Sequence, residues 1–359
     1  MPDMQVFPPR QVPLAAAATV VRRWFPDERP ALTAMMGGGF SGSPLFVVEA
    51  GGGSHVLKAF PRGTSAARVR FVHAAVRHLR AHGVCQVPAV RLAADGESFC
   101  QDHDGTSWEL QDFVVGESTA KPTAEQVAAA MEVVARVHLA AATLAENPPD
   151  LGPSPGLARR VEQARGMLAR PWAAVEPGPT ASPTLAALIR PLLDQAATIL
   201  AARDAAAVVA GVATLGPGPV ARQTVLRDLW APHVLYEHAG SGRVVGIVDC
   251  HAMGLDTPAT DLARLLGSWA VEAGFEDSVG WEAALAAYAR LRPLSEAERR
   301  AVPFLAASGV VFGLDNWFRW IFEEGRTFSD PAAAAGRVQR LTDALPAALE
   351  MLGTTLARS

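Results

Sequence analysis

Residues 225–250 read VLRDLWAPHVLYEHAGSGRVVGIVDC. Asp228 and Asp249 each sit at the edge of a short apolar run, and His233 follows the first of them by five residues. The run QTVLRD ends a strand, so Asp228 opens a loop. HVLYEHAGSGRVVGIVD then reads as a β-hairpin, with Val234–Tyr236 going out, a turn around Gly240–Gly242, and Val244–Val248 returning. Such a hairpin folds the chain back and lets the two aspartates approach one cleft. Two carboxylates facing one cleft repel each other unless a proton or a cation intervenes. Magnesium, a hard cation that takes oxygen ligands, resolves the repulsion at one carboxylate. The other can accept a proton from a substrate hydroxyl. Phosphoryl transfer needs these two parts.

The flanking sequence supplies a setting. PLFVVEA and HVLKAF are β-rich runs separated by GGGS, which reads as a hairpin. From Ser65 to Gly83, Val69, Val72, Val76 and Leu79 recur at helical spacing, and Gly83 suits a helix stop. VPAVRLA, ESFCQD and SWELQDFVV read as further strands, the last two joined at HDGT. Past Gly116 the period changes. A long helix is expected from Thr123 to about Glu146, with Val127, Met131, Val134, Val137 and His138 on one face. NPPDLGPSPG, EPGPTASP and LGPGPVA are breaks between helical segments, and nearly everything beyond Asp261 reads as helix.

Composition narrows the function class. The chain has 359 residues, half of them hydrophobic and 19% charged, with net charge −4 and a pI near 6.2. That length suits two lobes with substantial cores, and the absence of a basic stretch argues against nucleic acid or an anionic membrane as partner. Cys85, Cys100 and Cys250 are scattered, with neither metal-ligand spacing nor a disulfide framework, which fits the cytoplasm. The stretch VPLAAAATVV, followed at once by Arg22 and Arg23, reads as a terminal helix rather than a signal peptide.

Taken together, these pieces resemble the aminoglycoside phosphotransferase family, small-molecule kinases of protein-kinase-like fold. That family's loop reads His-Gly-Asp, four residues, then Asn; its metal strand reads Ile-Asp; a helix then begins Asp-Leu-Ala. Here Asp228 matches the catalytic aspartate, GIVD ending at Asp249 the metal aspartate, and Asp261-Leu262-Ala263 the helix start. GGGFSGSPLFVVEA resembles the phosphate-covering loop, with Gly38, Gly39, Ser41 and Gly42 as cofactor-binding candidates. Lys58 stands where the phosphate-pairing lysine belongs, and WELQDFVVGE resembles the hinge, which puts Asp112, Phe113 and Val115 against the nucleotide base.

The resemblance implies an α+β, protein-kinase-like two-lobe fold. A small β-rich N-lobe would span residues 1–113, and a larger, mainly helical C-lobe residues 114–359. It implies ATP (or GTP) with Mg2+, and transfer to a hydroxyl of a small molecule. The short stretch from Asp249 to Asp261 leaves little platform for a peptide acceptor. Asp315, Glu323 and Glu324 beside the aromatic run NWFRWIF raise a cationic acceptor.

Three departures stand out. Leu226 replaces the family's His. His233 replaces its Asn, as a metal ligand or catalytic group, although imidazole suits magnesium poorly; the alternatives are a hydrogen bond from His233 to Asp228 or a phosphate, or a site that uses one metal. No acid lies between Ser65 and Gly83, so the glutamate that orients the lysine is missing from that helix. These departures keep a second reading open, a pseudokinase that binds nucleotide without turnover. No Gly-x-Ser-x-Gly elbow supports a hydrolase.

Overall fold

The computed structural model describes residues 14–35, 44–145, 149–202, 205–216, 218–273, 275, 280–328 and 330–357. The chain forms two compact units. The first comprises residues 1–116 with 245–251, and the second 117–244 with 252–359.

The first unit opens with α1 (Leu14–Val21), followed by β1 (Ala31–Ala34), β2 (Leu45–Ala50) and β3 (Gly53–Ala59). The β2–β3 hairpin is closed at Gly51-Gly52, with φ of 61° and 73°. Glycine carries that left-handed geometry without strain, and this turn twists with the strands. After α2 (Ala66–Ala81) come β4 (Cys100–Gln101) and β5 (Ser107–Asp112), giving an antiparallel sheet in the order β1-β2-β3-β5-β4. Ser65 caps α2, its hydroxyl accepting from the Arg68 N–H at 3.2 Å. Val69, Val72, Val76 and Leu79, the stripe legible in the sequence, are all buried. α1 and Trp24 join Val48, Leu57, Trp108 and Leu110 in one apolar cluster.

Two expected strands shrink. VPAVRLA makes a single bridge, Val90 with Gln111, flanked by Arg91 N–H to Leu110 O and Asp112 N–H to Ala89 O. ESFCQD forms a ladder only over the two residues of β4.

The second unit begins with α3 (Ala124–Ala141), started by a reciprocal capping box between Thr123 and Gln126. Val127, Met131, Val134, Val137 and His138 are all buried. Then follow β6 (Asp150–Pro153), α4 (Pro155–Ala169), α5 (Pro183–Ala202), α6 (Ala205–Ala213), β7 (Pro219–Val225) and β8 (Val234–Tyr236). The chain next runs through β9 (Val244–Ile247) and returns with β10 (Gly254–Asp256). β10, β7 and β6 form a three-stranded antiparallel sheet. β6 lies in DLGP, where proline and glycine signal only a break. As an edge strand it tolerates proline, and its ladder to β7 is a long-range pairing that no local signal announces. The rest is helical: α7 (Ala259–Glu272), α8 (Trp281–Ala289), α9 (Glu296–Phe318) and α10 (Pro331–Ala357). α7 lies close against α9, where a Cβ on Gly267 would come within 3.2 Å of Ala306 Cβ. The window from Glu296 to Glu323 is apolar, with mean hydropathy 1.3, and 78% buried, as befits a core helix.

Candidate active site

In the first unit Lys58 is the penultimate residue of β3, with its side chain nearly buried. Its Nζ donates to Asp249 Oδ1 at 2.6 Å, so two residues 191 apart in sequence meet. Asp249 adopts φ 63°, a left-handed conformation uncommon outside glycine, and its side chain stays 31% exposed. Just before it, the Ile247 N–H donates to Gln86 O at 2.8 Å. The lysine's carboxylate partner is therefore Asp249 rather than an acid on α2.

α2 instead presents His73, which is fully buried. Its Nε2 lies 2.7 Å from Glu109 Oε2, and its Nδ1 lies 2.9 Å from Ser98 Oγ. Glu109 pairs with Lys58 across the β3–β5 ladder, yet its carboxylate is taken by histidines. His251 Nε2 lies 2.6 Å from its other oxygen. His251 also stacks on Phe60, with ring centroids 3.9 Å apart, and Arg68 donates to its carbonyl at 2.8 Å. Burial alone would push the Glu109 carboxyl up. The charge and hydrogen bonds of His251, and then of His73, outweigh burial and hold it well below the usual carboxylate range. This network anchors the residue two places past Asp249. Neither histidine stood out in the sequence, because its partner lies 36 or 142 positions away.

The remaining cofactor-binding candidates are less uniform. Gly38, Gly39, Ser41 and Gly42 lie outside the described residues. The Asp112 N–H is committed to Ala89 O and the Phe113 N–H to Ser54 O, at 3.0 and 3.1 Å. Val115 is 79% exposed.

In the second unit Asp228 follows Arg227, which has φ 67° at the place where the His-Gly-Asp loop carries glycine. A side chain there is strained, and Asp261 offsets the cost. Its carboxylate, fully buried at the start of α7, accepts the Leu226 N–H at 2.7 Å and the Arg227 N–H at 2.6 Å. His138 Nε2 lies 2.9 Å from the same group, and His138 Nδ1 lies 2.7 Å from the Tyr288 hydroxyl. α3, α7 and α8 thus jointly fix the main chain that carries Asp228. The Asp228 carboxylate accepts from Arg264 Nε at 2.8 Å. His233 Nδ1 lies 2.8 Å from the Asp228 carbonyl oxygen, and its Nε2 accepts from the Trp230 indole N–H at 2.8 Å. This pairing places the ring proton on Nδ1 and ties His233 to the main chain of the loop.

Beside this loop the second unit holds a cleft of about 200 Å³. Arg159 and Arg160 on α4, Arg227, Arg264 on α7 and Arg337 on α10 line it, with Asp256 and Trp230. The acids expected to attract a cation are otherwise engaged. Asp315 is buried and accepts from Trp172 Nε1 at 3.0 Å and Arg319 Nε at 2.8 Å. Glu323 pairs with Arg170, and Glu324 with Arg326.

Comparison with known proteins agrees with this architecture. The model of the phosphotransferase enzyme family, APH, matches residues 36–294. The homoserine kinase of Gluconacetobacter diazotrophicus is 33% identical over 147 residues, 40% of this chain and 45% of that protein. The homoserine kinase of Brucella anthropi is 26% identical over 279 residues, 77% of this chain and 76% of that protein. The crystal structure of an aminoglycoside phosphotransferase from Alicyclobacillus acidocaldarius subsp. acidocaldarius aligns over 98% of both chains, with a TM-score of 0.58 at 14% identity, a likeness of fold. With a family match over most of its length and the kinase-like fold beneath it, the chain belongs to the phosphotransferase enzyme family, the APH group of small-molecule kinases.

Proposed function

We propose that this kinase transfers the γ-phosphoryl group of ATP (or GTP) to a hydroxyl of a small molecule in the cytoplasm, with Asp228 as the base. The observation that carries this reading is the Lys58–Asp249 contact at 2.6 Å, which pairs a nearly buried ammonium with a strained, part-exposed carboxylate. An ammonium and a carboxylate so placed can separate to take phosphate oxygens and a divalent cation respectively.

The donor set fits magnesium. One hard carboxylate, completed by phosphate oxygens and water, is how this ion is commonly held. Asp249 would hold it, and the bound ion would neutralise charge on the β- and γ-phosphates. Lys58 pairs with phosphate oxygens as a point charge. Asp228 orients the acceptor hydroxyl and takes its proton as the bond to phosphorus forms. Arg264 orients the Asp228 carboxylate. His233 holds the loop through the Asp228 carbonyl, and its hydrogen bonds favour this role over metal ligation. The nucleotide base lies against the segment Asp112–Val115, with Gly38, Gly39, Ser41 and Gly42 covering the phosphates. Two relatives are named homoserine kinases, which supports a compact acceptor.

Incubation with γ-labelled ATP, magnesium and a panel of small alcohols tests the reading. Label should appear on an acceptor hydroxyl and vanish in Asp228→Asn. Nucleotide binding without label transfer to any acceptor, including homoserine, would instead favour a nucleotide sensor.

A further inference from the structure

We propose that the acceptor of this kinase carries an oxyanion, a carboxylate or a phosphate, bound by the arginine cleft beside Asp228, and that it is not cationic. The inference rests on the kinase reading above and adds the chemical class of the substrate.

Five arginines line the cleft, and Asp256 is the carboxylate among its lining residues. Asp256 is buried and already committed. It accepts from the Ser154 hydroxyl at 2.5 Å, the Gly156 N–H at 2.9 Å and the Thr257 N–H at 2.8 Å, which fixes the start of α4 against β10. Its role is to hold α4, and with it Arg159 and Arg160, in place. Two further acids touch the group from outside. Asp228 pairs with Arg264, and Glu272 lies 3.7 Å from Arg337 but is shared with Arg340 at 2.9 Å. Five guanidinium groups against three carboxylates leave an excess of two positive charges. Arg159 and Arg227 make no ion pair among the described residues.

The cleft is also built to keep donors available. Arg160 is half-buried. Its Nη1 donates to Gln163 at 2.8 Å, while its Nε is buried without a hydrogen-bond partner. Burial, then the charges of Arg264 and Arg159, push Arg160 down to about 9. Partial burial lowers Arg337 as well. Arg160 and Arg227 are half-buried and short of counter-charge, which is costly to the free protein, and an oxyanion entering the cleft relieves that cost. Guanidinium forks match carboxylate and phosphate in geometry. Arg337 is further held over the Trp230 ring at 5.8 Å, which orients it toward the same loop that carries Asp228. An ammonium group finds no uncommitted carboxylate among the lining residues, so a zwitterionic amino alcohol gains less here than a hydroxy dicarboxylate or a phosphorylated diol.

The test compares acceptors and variants. ADP formation is measured with hydroxy dicarboxylates and glycerol phosphate against homoserine, amino alcohols and neutral polyols. In parallel, glycerol phosphate is titrated calorimetrically without nucleotide into wild type, Arg159→Gln, Arg337→Gln and Lys58→Ala. Anionic acceptors should give the highest kcat/KM. Each arginine change should weaken glycerol phosphate binding or raise the acceptor KM about tenfold or more, with MgATP affinity unchanged, while Lys58→Ala leaves that binding intact. Preference for homoserine or other amino alcohols, whose ammonium the cleft does not serve, or glycerol phosphate binding lost in Lys58→Ala but kept in both arginine variants, overturns the inference and leaves the kinase reading standing. Absence of turnover with every acceptor, alongside arginine-dependent binding of glycerol phosphate, would fault the kinase reading and spare the anion site.

Discussion

Replacing Asp261 by Asn probes how the loop that carries Asp228 is held. The carboxylate accepts three bonds: Oδ1 from the Arg227 N–H, and Oδ2 from the Leu226 N–H and His138 Nε2. An amide has one oxygen. Placed to keep the Leu226 and His138 bonds, it turns its NH2 toward the Arg227 N–H, donor against donor. Losing a bond to a charged acceptor costs about 1.5–3 kcal/mol. Arg227, at φ 67°, then holds a strained conformation worth about 1–3 kcal/mol with nothing to offset it. The loop can relieve part of that strain by moving, so the net loss should be about 2–4 kcal/mol. Urea titration followed by tryptophan fluorescence reads the stability. Steady-state ADP formation, corrected to the folded fraction, reads the loop. The expected result is a lower urea midpoint and kcat reduced about a hundredfold, with nucleotide KM nearly unchanged, because Lys58 and Asp249 belong to the other unit. An unchanged midpoint together with kcat within twofold of wild type would show that the loop supports itself and that the clamp is incidental.

Three further perturbations separate the remaining roles. Glu109→Gln removes the charged acceptor that His73 and His251 share and should cost about 1.5–3 kcal/mol at neutral pH. Because the folded carboxyl is depressed, its contribution is full above the ordinary carboxylate range and is lost as pH falls from there through the lower folded value. The wild-type advantage in urea midpoint should therefore narrow below about pH 5; a gap that widens there contradicts the assignment. His233→Asn should keep the magnesium dependence of nucleotide binding and lower kcat; a shifted magnesium requirement would instead make the imidazole a ligand. Lys58→Met should raise nucleotide KM at least tenfold, read by initial rates at varied ATP, and an unaltered KM would remove the lysine from the phosphate site.

Much of this architecture was legible because it is periodic. Val69, Val72, Val76 and Leu79 announce α2, and Val127, Met131, Val134 and Val137 announce α3, since helical spacing reports a buried face directly. β3 and its lysine were readable from an apolar run that starts beside a glycine-rich turn. What stayed hidden depends on contacts that leave no local trace. Nothing near Lys58 says that its carboxylate partner is Asp249, and nothing in α2 says that His73 bonds Glu109. The arginine cleft is drawn from α4, the loop before Asp228, α7 and α10, so a chain of net charge −4 conceals a strongly cationic site. Asp315, Glu323 and Glu324 suggest a cation site in sequence, whereas in the fold Arg319 one turn on pairs with Asp315, Arg170 at the end of α4 with Glu323 and the nearby Arg326 with Glu324. The strand β6 escaped for a similar reason, since its ladder with β7 joins residues about seventy positions apart.

The division of labour between the two aspartates is the point on which the mechanism stands, and one paired comparison reaches it. MgATP binding by calorimetry and turnover with the best acceptor are measured side by side for wild type, Asp228→Asn and Asp249→Asn. Asp228→Asn should bind MgATP as wild type does and lose at least a thousandfold in kcat, while Asp249→Asn should lose the magnesium-dependent part of nucleotide affinity. Wild-type turnover in Asp228→Asn, or magnesium-dependent binding retained in Asp249→Asn, would contradict the mechanism at its base.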